Sequence, residues 1–128
     1  MNRTRRLRKS ENIRRLVQET KLSIDDLIYP LFIEEGSGVE KEIVSMPGIK
    51  RFSLDKISKE LDEVVSLNIP AVLLFGIPSE KDDIGTETWN DQGIIQQAIR
   101  FIKENYPSLY VVTDVCFCEY TSHGHCGV

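Results

Sequence analysis

Cys116, Cys118 and Cys126 are the three cysteines of this 128-residue chain, spaced C-x-C-x7-C, and both histidines, His123 and His125, lie inside the longer gap. Thiolate and imidazole are the donors that zinc favours; four of them close a structural tetrahedron, and three leave a position for water or substrate. Gly124 and Gly127 let the backbone turn sharply enough to return Cys126 to Cys116 and Cys118. Spacing alone leaves two readings open, a metal centre or unrelated reduced thiols near a strand end. C-x-C-x7-C is not a common zinc-finger pattern, and a one-residue spacer disfavours the C-x-x-C geometry of thiol redox proteins. Asp114 stands two residues before Cys116. It either caps its own turn, as a strand-end aspartate often does, or points into the site.

The elements that must position these groups are those of an α/β protein. Ala71–Phe75 is an unbroken apolar run, as expected for a parallel strand buried on both faces. A helix is predicted over 91–104, capped by Asn90 or Asp91, with a stripe of Ile95, Ala98, Ile99 and Ile102, and a second strand over Leu109–Val115. Strand, helix and strand make one βαβ unit with an expected right-handed crossover. Both connections leaving the strands, 76–89 and 116–128, then fall on one rim, where parallel α/β proteins bind ligands. That placement favours the metal reading of the cysteines. Phe75 is expected to fill the core at its strand end, and Tyr120, Thr121 and Ser122 to be loop structure.

Upstream, residues 10–19 suit a short helix with an apolar edge of Ile13, Leu16 and Val17. Leu27–Ile33 is β-prone, but Pro30 cannot donate to a ladder, so an edge strand or a merely extended segment is expected. Lys41–Met46 suits a second short strand. A helix is predicted from Leu54 to Leu67, with Ser53 as N-cap and a stripe of Leu54, Ile57, Leu61, Val64 and Val65.

Apolar residues make up 41% of the chain, enough for one core. No apolar run approaches the roughly eighteen residues of a membrane span, and no signal-peptide pattern is present. An odd number of cysteines, two nearly adjacent, fits a reducing cytoplasm better than a disulfide framework. The net charge of −4 divides unevenly: residues 1–21 carry +6 and the rest −10. Glu11 and Glu19 argue against a transit peptide. The lack of aromatics before Tyr29 argues against nucleic acid. A basic arm clasping an acidic neighbouring subunit is the expectation, with no membrane partner.

The wording around the cysteines is more specific than their spacing. Thr113-Asp-Val-Cys-Phe-Cys-Glu-Tyr-Thr-Ser-His-Gly-His-Cys-Gly127 resembles the zinc-binding stretch of the 5-aminolevulinate dehydratase (porphobilinogen synthase) family in its cysteine-bearing form. Arg5-Arg6-Leu7-Arg8, Asp26–Phe32, Ser45-Met46-Pro47-Gly48 and Phe75-Gly76-Ile77-Pro78 match in the same order. The resemblance implies a (β/α)8 TIM barrel, with 1–26 as a basic arm and 27–128 as the start of the barrel. This portion would supply the first two barrel strands, break off before the catalytic lysines and fold poorly alone.

The resemblance further implies zinc on Cys116, Cys118 and Cys126 with an open fourth position, and Asp114 as a catalytic group orienting a substrate ammonium or a lysine. His123 and His125 are the rivals, as a fourth ligand that would make the site structural or as hydrogen-bond donors to a sulfur. The implied reaction condenses two 5-aminolevulinate molecules to porphobilinogen in tetrapyrrole (haem) synthesis, a lyase activity of homo-oligomers, octamers at full length, assembled through the arm. A regulatory magnesium ion in the full-length protein belongs to the same implication. The family holds substrate as Schiff bases on two lysines, yet each of the eight lysines here lies in a polar loop, a solvated helix face or the arm. The chain alone is therefore expected to be inactive. The rival function is a small zinc-binding module whose basic arm contacts nucleic acid or a protein.

Overall fold

The computed structural model describes residues 5–127. Among the described residues three α-helices, α1 (Glu11–Val17), α2 (Ser58–Ser66) and α3 (Ile94–Asn105), accompany five strands, β1 (Ile28–Glu34), β2 (Glu40–Glu42), β3 (Lys50–Phe52), β4 (Ala71–Ile77) and β5 (Tyr110–Thr113). The strands form one sheet in the order β2-β3-β1-β4-β5. β3, β1, β4 and β5 are parallel, and β2 returns antiparallel on β3. The expected βαβ unit is β4-α3-β5, and β1 joins its sheet as a third long parallel strand.

β1 departs from its expectation. It lies at the centre of the sheet, pairing with β4 along all seven residues from Ile28↔Ala71 to Glu34↔Ile77. Pro30 is tolerated there for a directional reason. Glu35 N–H donates to Ile77 O at 2.9 Å, and strand alternation gives Leu31 and Ile33 the same sense. The missing N–H of Pro30 therefore faces the other flank, where β3 pairs only with Phe32 and Ile33.

Two helix starts and one strand also shift. α2 begins at Ser58, after a turn closed by Lys56 N–H to Ser53 O. Ser53 is not its N-cap: the buried Ser53 hydroxyl accepts from Val39 N–H at 2.8 Å and donates to Asp55 at 2.6 Å, tying the turn to the preceding loop. α3 begins at Ile94 behind Gly93, and Asn90 accepts instead from Gln92 N–H. The strand expected over 41–46 ends at Glu42, where Ile43 and Met46 enter a tight turn.

The two sheet faces differ. Leu31, Ile33, Val72 and Leu74 form one core with Ile57, Leu61 and Val64 of the α2 region and Ile94, Ala98 and Ile102 of α3. Each such aliphatic side chain contributes roughly 1.5–3 kcal/mol by leaving water, so this single layer fixes both helices on the sheet. The opposite face carries Phe32, Leu73, Phe75 and Ile77, all half-buried. Phe75 does not fill the helix-covered core; it stacks on Phe32 across this second face, centroids 5.1 Å apart. Beside them Arg51 Nε meets Glu34 Oε2 at 2.9 Å.

Arg5–Leu27 adds nothing to the core. Ser10 caps α1 through Ile13 N–H, but α1 has no buried residue and its apolar edge is solvent-facing, with Leu16 84% exposed. Among the described residues no helix is long and apolar enough to cross a membrane.

Candidate metal centre

Because β4 and β5 run parallel, the segments that leave them emerge side by side. After β5 the chain coils at once: Tyr120 and Thr121 N–H both bond Phe117 O, and Gly124 N–H returns to Thr121 O. Gly124 has φ +72°, a left-handed turn suited to glycine. This hook brings Cys126 Sγ to 3.4 Å from Cys116 Sγ and 3.2 Å from Cys118 Sγ. The three sulfurs all lie within 4.8 Å of one another. Thiolates on one tetrahedral zinc stand about 3.8 Å apart, from a Zn–S distance of ~2.3 Å. The trio therefore fits such an ion after spreading by a fraction of an ångström.

The protons on these sulfurs are unequal. Hydrogen bonding from the Cys118 thiol, with the backbone N–H of Phe117 next, pulls Cys126 below its ordinary value. At Cys116 the Cys118 N–H favours the thiolate, but the Cys126 and Cys118 sulfurs, which accept its S–H, outweigh it and push the group up to about 12. Cys118 is raised, chiefly by Cys126. Cys126 is thus the sulfur that holds negative charge most readily, and a metal would displace the protons its two neighbours keep.

A second loop anchors the hook. Asp82 folds the 78–89 segment by accepting from Ile84 N–H at 3.1 Å and Thr86 N–H at 2.9 Å. Asp82 and Thr121 pair as an isolated bridge, Ser122 N–H donates to Asp82 O, and Ser122 Oγ reaches Asp83 Oδ1 at 2.6 Å. His123 Nε2 lies 3.2 Å from Asp83 O, and its Nδ1 accepts from His125 N–H at 3.3 Å. Neither histidine joins the sulfur cluster, and among the described residues neither imidazole bonds a sulfur. In this geometry the His123 ring instead bridges the hook and the 78–89 loop.

Beside the sulfurs opens a cavity of about 210 Å³, lined among others by Phe75, Gly76, Ile95, Asp114, Cys116 and Tyr120. Asp114 is exposed, and its carboxylate lies within 4.8 Å of donor atoms of Cys116 and Glu119. Among the described residues no hydrogen bond ties it to its own turn, so the capping reading finds no support. All eight lysines are solvent-exposed.

Four contributors escaped the sequence reading. Glu119 was hidden among residues read as loop, although its place after Cys118 could have flagged a carboxylate near the sulfurs. Asp82 and Asp83 looked like polar loop residues; an aspartate followed two and four residues on by free N–H groups was the available signal. Gly76, ending an apolar strand, marks a close approach: a Cβ there would overlap the buried Tyr120 hydroxyl and come within 2.6 Å of Ile95 Cγ1.

Residues 1–128 match the family model described as delta-aminolevulinic acid dehydratase. The delta-aminolevulinic acid dehydratase of Halalkalibacterium halodurans is 56% identical over 126 residues, covering 98% of this chain and 38% of that protein. The one from Ruminiclostridium josui is 51% identical over 128 residues, covering 100% of this chain and 62% of that protein. Among solved structures, the delta-aminolevulinic acid dehydratase (porphobilinogen synthase) of Toxoplasma gondii ME49, in complex with the reaction product porphobilinogen, superposes with a TM-score of 0.88 at 37% identity. It covers 100% of this chain, which spans 37% of that one.

Proposed function

This chain belongs to the delta-aminolevulinic acid dehydratase family, and from that premise we propose that it serves the condensation of two 5-aminolevulinate molecules to porphobilinogen, with loss of two waters. Its share would be one sector of the (β/α)8 barrel, residues 27–128, carrying the metal centre, preceded by a basic arm at 1–26. The observation that carries this reading is the convergence of three sulfurs at the outlet of parallel strands β4 and β5. Porphobilinogen in the related structure supports the substrate class.

Cys116, Cys118 and Cys126 would hold zinc, whose bound form polarises a carbonyl or amine of substrate as a Lewis acid. Asp114 faces the same cavity as Cys116; its carboxylate would hold a substrate ammonium by charge and hydrogen bond. Phe75, Ile95 and Tyr120 supply an apolar wall that limits water at that point. A Schiff-base lysine must be neutral near pH 7, which requires burial or a neighbouring cation. None of the eight exposed lysines meets that requirement, so we assign that role outside residues 1–128.

The exposed leucines of the arm, Leu7, Leu16 and Leu22, together with its positive charge, suit it to clasp another copy, as in a homo-oligomer up to an octamer. A cytoplasmic setting keeps the thiols reduced, and a regulatory magnesium would bind elsewhere in the complete enzyme. The test measures zinc content and borohydride trapping of 5-aminolevulinate on residues 1–128 and on a version extended to the length of its relatives. Zinc on the longer version, with substrate trapped only there, is expected. Trapping on residues 1–128, or no zinc on either, would overturn the assignment.

A further inference from the structure

We infer that His123 is a positioning residue for the third thiolate, Cys126, acting through the backbone of His125 rather than through the metal or the substrate. The inference rests on the zinc reading above and extends it to a residue outside the ligand set. His123 Nε2 faces the carbonyl oxygen of Asp83 at 3.2 Å. A carbonyl only accepts, so Nε2 carries the proton and donates it. Nδ1 is then the lone-pair nitrogen, and it accepts from His125 N–H at 3.3 Å. Both ring nitrogens are used, and none is left for a cation.

The geometry explains why an imidazole stands at this position. His125 directly precedes Cys126, and its peptide is held at both ends: the N–H by His123 and the carbonyl by the Thr121 hydroxyl at 2.9 Å. Fixing both groups of residue 125 sets the direction in which the chain delivers Cys126 toward Cys116 and Cys118. The Nε2 side fastens the same ring to the 78–89 loop, which Ser122 grips independently through Asp82 O and Asp83 Oδ1. That side is therefore duplicated, whereas among the described residues His123 Nδ1 alone receives His125 N–H.

This asymmetry gives a test with opposite outcomes for two conservative variants. In H123N the amide oxygen replaces Nδ1 as acceptor and the reach to Asp83 is lost. In H123Q the longer side chain can still donate to Asp83 O but offers no acceptor near His125 N–H. Zinc affinity of the full-length protein is measured by chelator competition, and the coordination shell by the thiolate-to-metal charge-transfer bands after cobalt(II) substitution. Groups that orient metal ligands are worth about 10–100-fold in affinity.

H123Q and H123A should each lose zinc affinity by that factor, H123N should recover most of it, and the cobalt bands of all three should keep the intensity of a three-thiolate site. Unchanged affinity in H123Q and H123A, or a loss in H123N equal to that in H123A, would overturn the role. Loss of a nitrogen-donor contribution from the cobalt spectrum would instead make His123 a ligand and overturn it too. A wild-type protein that binds no zinc would sink the metal reading itself; zinc-binding wild type with silent variants would sink only the role of His123.

Discussion

The Tyr120 hydroxyl occupies the space in which a Cβ on Gly76 would stand. Gly76 ends the central run of β4, and Tyr120 belongs to the hook that carries the cysteines, so strand and hook meet with no room for a methyl group. Gly76→Ala should destabilise the fold by about 1–3 kcal/mol, the usual cost of overpacking. It should also lower zinc content by displacing Tyr120. Denaturant unfolding together with metal analysis checks both, and a fully loaded variant of unchanged midpoint would refute the close-packing account.

Metal uptake should depend steeply on pH. Cys116, raised to about 12, and Cys118, also raised, hold protons that must leave when a cation enters. Zinc affinity should therefore fall as pH is lowered, because protons are released as the ion binds. Chelator competition across a pH series measures the slope. Cys126→Ser, which removes the sulfur standing 3.4 Å and 3.2 Å from the other two, should abolish tight binding.

Acid should loosen the anchor before the core. The Asp82 carboxyl is held below its ordinary 3.8 by the Thr86 hydroxyl and then by the Thr86 and Ile84 N–H groups. Glu35 is lowered from 4.5 by the Ser79 N–H and hydroxyl. Folded values below unfolded ones mean that this stabilisation is complete above the ordinary carboxylate range and disappears as pH falls through the depressed values. Hydrogen exchange in 78–89 and 116–126 should accelerate there ahead of exchange in β1 and β4. Asp82→Asn should blunt that pH dependence.

At the alkaline end two tyrosines act with the opposite sign. Burial first, then Glu60, raises Tyr29 to about 12, and burial followed by the Glu119 and Asp114 charges raises Tyr120 to about 12. The folded chain keeps these phenolic protons longer than the unfolded chain. Their stabilisation is therefore full below pH 10.0 and is lost as pH climbs toward 12. Tyr29→Phe should cost about 1 kcal/mol at neutral pH, the worth of one hydrogen bond, and should flatten the alkaline limb measured by tyrosinate absorbance and circular dichroism.

The α/β class and the rim location of the cysteines were legible because they depend on local apolar runs. Ala71–Phe75 could hardly be anything but a buried strand, and two parallel strands necessarily deliver their following loops to one side. The centrality of β1 was not legible, because the direction of one absent N–H at Pro30 depends on which strand lies on which flank. Ser53 looked like a helix cap; its hydroxyl is engaged by Val39, fourteen residues away, and no local pattern announces such a contact. The same holds for His123, whose partner Asp83 lies forty residues upstream. A cluster of possible metal donors could be read from residue type, whereas the loop-to-loop bridge exists only in three dimensions.

Both packed helices rest on one face of the sheet, so Phe32, Leu73 and Phe75 stay partly hydrated on the other. Hydration of apolar surface is what gives unfolding its heat-capacity increment, about 12–15 cal/mol/K per residue in ordinary domains. A sheet dressed on one side has less dry surface to expose. Its stability should therefore vary more gently with temperature than that of a sheet sandwiched between two helical layers, and covering the Phe32–Phe75 stack would steepen the curve.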